Sequence, residues 1–277
     1  MRSTRGRRLV GFLAVALMAW LTVEVEAQFR RGGGRGFGNI RKATEADYDG
    51  AWHFCRAIYR ADPRGDGGNW SVDWPRADIN LSTRLGELTR TSISKTNGEP
   101  NPLLIELTDD ALFQCPFVMM TEVGSAFFDD KEAARLKEYL LKGGFVWADD
   151  FWGSYAWQWW EAQLRKALPA ETYPIIELPL DHPFFHLQFE VKGTPQIPNI
   201  GFWAGTGGQT SERGADSATP HSKAILDSHG RIMILMTHNT DFGDSFEREG
   251  DDPRYFQTMS VPGYSYGINA LLYALTH

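Results

Sequence analysis

The sequence predicts an α/β domain with a mostly parallel sheet and helices on both faces. Residues 129–142 carry apolar side chains at helical spacing and end at Gly143-Gly144, and the apolar run 145–148 follows at once. A short, continuous apolar run after a helix is typical of a parallel strand covered on both faces. The apolar runs 103–107 and 117–120 repeat the strand pattern. Helices and apolar strands that alternate in this way favour a parallel sheet.

An export signal is predicted ahead of this domain. Arginines at four of the first eight positions precede the apolar stretch 9–23, and Ala27 offers a cleavage site before Gln28. We therefore expect residues 1–27 to be a signal peptide and the product to be periplasmic or secreted, with the membrane contacted only through this signal. An uncleaved anchor is the alternative, which the short apolar stretch disfavours.

The rest of the chain divides into a linker and one domain. Residues 28–46 are rich in Gly and Arg and predict a flexible linker, and residues 47–277 predict a single α/β domain. Removing residues 1–27 takes four arginines and two glutamates from 28 basic and 35 acidic side chains, which leaves a net charge of −9. An acidic domain of this kind is not expected to bind nucleic acid, because phosphates would repel it.

The first elements after the linker are a strand, a helix and two further strands. The strand spans 53–59, and the helix carries Leu81, Leu85 and Leu88 on one face. The next strands are the runs 103–107 and 117–120. Cys55 and Cys115 could form one disulfide in an oxidising compartment, but the apolar surroundings of Cys55 favour its packing as a small hydrophobic residue.

The central helix begins at Asp129, with Glu132 completing a capping box, and leads to the strand 145–148, which is expected to stop at Asp149-Asp150. Ser154 is predicted to cap the following helix, and 175–178 is predicted as a strand. No regular element is expected between 195 and 220, where a long polar stretch is typical of a functional loop or lid. The final elements are a hairpin that turns at 227–230 and a helix that begins near Gly267.

Three of the predicted strands run into acidic residues: TDD at 108–110, ADD at 148–150 and THNTDFGD at 237–244. The carboxyl ends of parallel strands meet at one edge of a sheet, where ligands bind in open α/β folds. The candidate binding residues are Asp109, Asp149, Asp150, Trp152, His238, Asn239, Asp241 and Asp244.

Clustered carboxylates suit a divalent cation or a polyol, since both need several oxygen ligands, although no ligand set for a particular metal can be assigned. Trp152 could provide a flat wall for a sugar ring or could simply fill the core. His238 is expected to lie beside Asp149 or Asp150, with its pKa raised by their negative charge. The alternative for each Asp is a helix cap or an Asx-turn, which is favoured for Asp109.

Five blocks of the sequence resemble a bacterial family, domain-of-unknown-function family 4159. They are W-x-x-D-x-P-x-A-D-x-N-L (70–81), E-x-x-x-L-K-x-Y-L-L-K-G-G-F-x-W-x-D-D-F-W-G (132–153), D-H-P-x-F (181–185), G-R-x-M-x-x-x-x-H-N-T-D-x-G-D (230–244) and Y-x-x-G-I-N-x-x-x-Y-A-x-T-H (264–277).

The resemblance implies a three-layer, flavodoxin-like fold of the class I glutamine amidotransferase-like type, and it implies no established activity. Enzymes of that fold place a cysteine on a glycine-flanked elbow. Cys55 lies in a predicted strand and Cys115 precedes Pro116, so amidotransferase activity is not expected.

The function that these observations favour is a non-catalytic, exported binding module for a carbohydrate or a related polar ligand at the acidic strand ends. One alternative is a hydrolase of a cell-envelope glycan, with Asp149 or Asp150 as the base and His238 as an acid or ligand. The other is a scaffold for envelope proteins.

Overall fold

A seven-stranded sheet organises the chain in the computed structural model, which describes residues 41–277. Its spatial order is β2-β1-β3-β4-β7-β6-β5. Neighbours from β2 to β7 in this order are parallel, whereas β6 runs antiparallel to both β7 and β5, so the predicted α/β class with a mostly parallel sheet is confirmed. The strands are β1 (Cys55–Ile58), β2 (Leu103–Glu106), β3 (Phe117–Thr121), β4 (Phe145–Phe151), β5 (Ile175–Glu177), β6 (His221–Leu226) and β7 (Ile232–His238).

Helices and short turns connect these strands. The helices are α1 (Arg76–Leu88), α2 (Asp130–Leu141), α3 (Gly153–Ala167), α4 (Ile200–Gly205), α5 (Phe242–Glu247), α6 (Pro253–Tyr255) and α7 (Val261–Thr276), and a π-helical turn, Phe256–Ser260, joins the last two. Turns of 3-10 helix occur at Glu45–Asp47, Asp110–Gln114, Val123–Ser125, Pro183–His186 and Gly214–Ser217. Two small ladders pair Arg60–Ala61 with Ala126–Phe127 and Lys95–Thr96 with Glu99–Pro100.

The strand residues alternate between two buried layers. Phe117 and Trp147 belong to one apolar cluster with residues of α1, α5 and α7. Val118 and Val146 alternate with them along β3 and β4 and are fully buried as well. Because successive side chains of a strand point to opposite faces, this second set faces the other layer of the domain.

The helix α2 begins and ends as its sequence predicts. The Asp129 carboxylate accepts a hydrogen bond from the Glu132 amide at 2.9 Å, and the Glu132 carboxylate accepts one from the Asp129 amide at 2.7 Å, so the capping box is confirmed. Gly143 follows the helix with a φ of +103°, a conformation that glycine adopts without a Cβ clash.

Several element boundaries differ from those predicted. β4 extends through Asp149 and Asp150 to Phe151, because Asp149 pairs with Thr121 of β3 and Phe151 pairs with His238 of β7. Ser154 does not cap α3; its amide, in the first turn of that helix, donates instead to the Asp216 carboxylate at 2.8 Å.

The sequence predicts no regular element between residues 195 and 220, but this stretch contains α4 and one 3-10 turn. The final helix begins at Val261, before the predicted Gly267.

Cys55 and Cys115 form a disulfide, and Cys55 does not pack as a free hydrophobic residue. The register of β1 against β3 explains the bond. Cys55 pairs with Val118, so the segment before β3 brings Cys115 to a Cα–Cα separation of 6.2 Å. This spacing lies within the range that a disulfide can span.

The predicted signal peptide and most of the predicted linker lie outside the described residues. The last residues of the linker range pack on the domain, where the Ala43 amide donates to the Leu104 carbonyl at 2.7 Å. Within residues 41–277, no helix is both long and apolar enough to cross a membrane.

Candidate functional site

The carboxyl ends of β4 and β7 lie side by side, because the two strands pair in parallel. The end of β3 joins them through the Glu122 amide, which donates to the Asp149 carbonyl at 2.9 Å. The loops that follow these strands therefore meet at one edge of the sheet, where the sequence predicts a site.

Asp149 binds the first amides of the helix α5, whose N-cap residue, Asp241, accepts a hydrogen bond from the Asp244 amide. One oxygen of the fully buried Asp149 carboxylate accepts hydrogen bonds from the amides of Phe242 at 2.8 Å and Gly243 at 3.2 Å. The other oxygen accepts a hydrogen bond from the Thr237 hydroxyl. Burial raises the pKa of Asp149 to about 7, while these donors favour its charged form and limit the rise. The side chain of Asp149 is therefore occupied by structural contacts.

Asp150 points instead toward Asp73 and Asp241. Carboxylate oxygens of these three buried residues, the acidic triad, all lie within 4.8 Å of one another. The Trp152 indole donates to Oδ1 of Asp150 at 3.0 Å. Trp152 is itself buried, so it supports a carboxylate and does not form the exposed flat wall that the sequence predicts.

A buried ion pair holds the loop that presents Asp73. Arg56, in β1, forms an ion pair with Asp78 of α1. Its Nη1 also donates to the carbonyls of Trp70 at 3.2 Å and Val72 at 3.0 Å. The guanidinium thereby fixes the backbone immediately before Asp73.

Asp73 Oδ2 is buried and has no hydrogen-bond partner within the described residues. It lies against the first turn of α5, where a Cβ added to Gly243 would collide with it. Asp73 as a whole is 9% exposed. A buried carboxylate oxygen without a donor is costly, because water no longer solvates it. The oxygen is therefore placed to meet a ligand.

Burial raises the pKa of each triad carboxyl well above its usual range, and neighbouring acids raise it further. The charges of Asp150 and Asp73 act on Asp241, and those of Glu122 and Asp73 act on Asp150. The Arg56 guanidinium lowers the pKa of Asp73, but that effect is smaller than burial and Arg56 is already paired with Asp78.

A second group of carboxylates shares Asp73. Oxygens of Asp73, Asp244 and Glu247 also lie within 4.8 Å of one another. The Ile200 amide donates to Oδ2 of Asp244, and Arg248 Nε lies 2.9 Å from Glu247 Oε2 and 3.6 Å from Asp244 Oδ1. Burial raises the pKa of Asp244 to about 6.

Left-handed backbone conformations concentrate at this edge of the sheet. Asp73, Glu122, Asp150 and Asn239 have φ values between 54° and 64°. This conformation costs a residue other than glycine roughly 1–3 kcal/mol and is found often at functional sites. The surrounding structure therefore maintains four residues in this conformation at one edge of the sheet, and two of them, Asp73 and Asp150, belong to the acidic triad.

Residues 53–275 match the model of the family described as Domain of unknown function (DUF4159). The chain belongs to this family. The matched range includes the whole acidic triad. A search of the curated proteins finds no match for the chain. The family description assigns no activity, so the function of this DUF4159 domain is inferred from its geometry.

His238 does not lie among the carboxylates of this DUF4159 domain. Its ring packs against Phe151 and Trp157, with centroids 5.0 Å and 5.2 Å away, and its Nε2 lies 2.9 Å from the Gly153 carbonyl oxygen. Burial lowers its pKa to about 4, so the predicted rise is wrong. The reason is that β4 continues to Phe151, which pairs with His238 and places the ring against α3.

Two more predicted residues have structural roles. The Asn239 side chain accepts a hydrogen bond from the Gly153 amide and donates to the Thr219 carbonyl, each at 2.8 Å. Asp109 follows β2, the edge strand of the sheet and three places from β4, and accepts a hydrogen bond from the Glu106 amide at 2.9 Å. The sequence predicts that Asp109 shares a crevice with Asp149 and Asp150, and the structure does not show this.

Three residues at or beside the observed site are not among the candidates predicted from the sequence: Asp73, Glu122 and Glu247. Asp73 has the clearest signal, because it is the acidic residue of the W-x-x-D-x-P block, directly before Trp74 and two residues before Pro75. Glu122 has a pKa that burial raises to about 7, and it follows β3 directly. Glu247 becomes part of the site only through the fold of α5.

Two cavities lie away from the triad and contain none of its residues. One, of about 480 Å³, is lined by residues of α2 and the 227–229 turn, and the other, of about 580 Å³, is lined by Trp52, His53 and Cys55. We place the candidate site at the triad, because converging charges, an unpartnered oxygen and strained backbone coincide there.

The triad has the donor set of a hard-cation site. An ion equidistant from three oxygens that lie within 4.8 Å of one another is about 2.8 Å or less from each, close to the roughly 2.3–2.6 Å of Ca²⁺–oxygen bonds. Mg²⁺ requires shorter bonds and stricter geometry. The residues of this DUF4159 domain therefore fit a hard divalent cation, and Ca²⁺ is the ion whose flexible geometry places the fewer demands on them.

Proposed function

We propose that this DUF4159 domain is a non-catalytic binding module whose acidic triad binds a divalent cation, with Ca²⁺ as the preferred ion. The observation that carries the proposal is the convergence of Asp73, Asp150 and Asp241, in which Asp73 Oδ2 has no partner. Three buried carboxylates repel one another when they are ionised, and a divalent cation between them removes that repulsion.

A cation at this place also provides a means of holding the polar ligand that the sequence predicts. Ca²⁺ takes six to eight oxygen ligands, so an ion bound by three carboxylates keeps positions for other oxygens. Hydroxyl groups of a carbohydrate are suitable donors. We therefore propose a saccharide as the class of ligand that binds through the ion.

The geometry favours binding over the alternative of a glycan hydrolase. Asp149 is engaged by Thr237 and the amides of α5, and His238 lies against α3, so neither faces the triad as a base or an acid. Retaining glycosidases separate their two carboxyl groups by about 5–5.5 Å across an open cleft. The triad oxygens are closer to one another than this separation.

We propose further that the domain is exported and has the flavodoxin-like, class I glutamine amidotransferase-like fold. The disulfide supports export, since such bonds persist in oxidising compartments. The parallel order β2-β1-β3-β4-β7 supports the fold. The pairing of Cys55 with Cys115 engages both cysteines of the chain, which supports a role without a cysteine nucleophile. Mass spectrometry of the mature protein should find Gln28 at its N-terminus.

The cation is tested with chelator-treated protein and a matched pair of variants. Ca²⁺ at 100 times its dissociation constant should stabilise the native state by about 2.7 kcal/mol, measured as a rise in melting temperature. Asp150→Asn should abolish this rise. Asp109→Asn should preserve it, because Asp109 also follows a strand but belongs to neither group of converging carboxylates.

Calorimetric titration provides the second readout, with Mg²⁺ and then saccharides added to the Ca²⁺-loaded protein. The absence of heat and of a stability change with Ca²⁺ in the wild-type protein would refute the cation proposal. If saccharide binding is unaffected by chelator, the proposal that the saccharide binds through the ion is refuted, but the proposed binding of a saccharide is not.

A further inference from the structure

We infer that Asp73 bridges two cations, the first in the acidic triad and the second held by Asp73, Asp244 and Glu247. This inference rests on the proposed function, since both sites depend on the same Asp73 carboxylate. It adds a second ion and a bridging role for one residue.

The two groups of carboxylates stand on either side of Asp73. The first group reaches it from the end of β4 and from the residue before α5, and the second reaches it from α5 itself. Asp244 and Glu247 are three residues apart on α5, so their side chains share one face of that helix. Oxygens of these two residues and of Asp73 also lie within 4.8 Å of one another.

Asp73 Oδ2 is an independent sign that a ligand belongs here. The residue is more than nine-tenths buried, and this oxygen has no hydrogen-bond partner within residues 41–277. It lies against Gly243, immediately before Asp244, and therefore on the side of Asp73 that faces α5. A carboxylate has lone pairs on both oxygens and can bind one cation through each of them.

The Asp244 carboxylate remains able to bind an ion despite its hydrogen bond from the Ile200 amide. That bond uses one lone pair of Oδ2, and Oδ1 faces Arg248 at 3.6 Å. The negative charges of Asp244 and Glu247 also raise the pKa of Asp73, as expected for carboxylates that lie close to it.

The second site, unlike the first, lies beside an arginine, Arg248, that can compete with a bound cation. The Arg248 guanidinium lies beside Asp244 and Glu247 and contacts Asp251 at 3.6 Å, and its side chain is 43% exposed. Because part of this side chain is exposed, the guanidinium can turn toward solvent when a cation binds, with the loss of its contacts to Asp244 and Glu247. Arg248 therefore competes with the second cation, and the second site should be the weaker one.

The test is a count of bound ions per chain in the full protein, by native mass spectrometry and calorimetry with Ca²⁺ and by paramagnetic resonance with Mn²⁺. The wild-type protein should bind two ions, and two bridged Mn²⁺ ions should show spin coupling. Glu247→Gln should bind one ion and lose the coupling. Asp73→Asn should weaken both sites at least tenfold.

Two more variants test the competition and supply the control. Arg248→Gln should tighten the second site several-fold without changing the first. Glu249→Gln should behave as the wild type, since Glu249 pairs with Arg84 and belongs to neither group.

The outcomes separate the inference from the function on which it rests. One ion in the wild-type protein, with no change in Glu247→Gln, would overturn the bridge and leave the proposed function intact. Two Mn²⁺ ions without spin coupling would also overturn the bridge. If the wild-type protein binds no ion at all, the proposed function fails as well.

Discussion

Asp149 and Asp150 are adjacent carboxylates with different tasks, because the backbone turns between them. Asp149 continues the strand and faces three donors, whereas Asp150, with φ of +54°, points to Asp73 and Asp241. The sequence predicts both residues for the site, since it shows only that a strand runs into two acids. Their separate roles depend on contacts with Thr237 and α5, which lie about 90 residues away.

Removal of the Asp149 carboxylate should destabilise the protein strongly. Asp149→Ala leaves the Thr237 hydroxyl and two amides of α5 buried without an acceptor, so the free energy of unfolding should fall by about 3 kcal/mol or more. Urea denaturation measures this loss. Asp109→Ala serves as the control and should cost only about 1 kcal/mol, as expected for a partly exposed side chain that accepts one backbone hydrogen bond. Equal losses in both variants would contradict the structural role of Asp149.

His238 should make stability depend on pH in the direction opposite to that predicted from the sequence. Its pKa is about 4 in the folded protein and about 6.5 in the unfolded chain, so the unfolded chain takes up the proton first as pH falls. The contribution of the neutral imidazole is therefore complete above pH 6.5 and is lost between pH 6.5 and 4, by about 3 kcal/mol in all.

His238→Phe should remove this dependence, because phenylalanine keeps the ring contacts with Phe151 and Trp157 and does not titrate. The free energies of unfolding of the two proteins, measured from pH 4 to 8, should differ by an amount that changes with pH. A constant difference over this range would show that the imidazole does not titrate as stated. The acidic groups are common to both proteins and do not affect the comparison.

At the scale of elements, local signals were sufficient where the determinants lie close in sequence. The capping box of α2 needs only Asp129 and Glu132, and the sequence predicts that helix correctly. The helix α4 was missed, because it is short and its Asn199 cap lies in a stretch of glycine and polar residues. Asp73 was missed for another reason: its position depends on Arg56, which is held by Asp78.

The disulfide should contribute substantially to the stability of the β1–β3 pair. It connects residues 60 positions apart, and closing a loop of that length lowers the entropy of the unfolded chain by an amount equivalent to about 4 kcal/mol. The double variant Cys55→Ala/Cys115→Ala should lose about this free energy of unfolding. Reduction of the wild-type protein should reproduce the loss. Equal stability of the variant and the oxidised wild-type protein would argue against the bond.

At the scale of the whole molecule, the parallel sheet brings distant acids to one edge. Asp73, Asp150 and Asp241 come from three separate segments, and only the side-by-side ends of β4 and β7 and the loop before α1 unite them. The sequence predicts that edge, since three of its apolar runs end in acids. It does not specify which acids converge, because the order of the strands places β2, which precedes Asp109, three places from β4.

The central claim, that buried carboxylates around Asp73 bind a cation, is tested most directly by diffraction. Crystals of the protein grown with Ca²⁺, or with Mn²⁺ as a stronger anomalous scatterer, should show an anomalous peak within about 2.1–2.8 Å of oxygens from Asp73, Asp150 and Asp241. A second peak beside Asp244 and Glu247 should accompany it when the ion concentration is high. An anomalous map without a peak at the triad, from crystals saturated with the ion, would contradict the account.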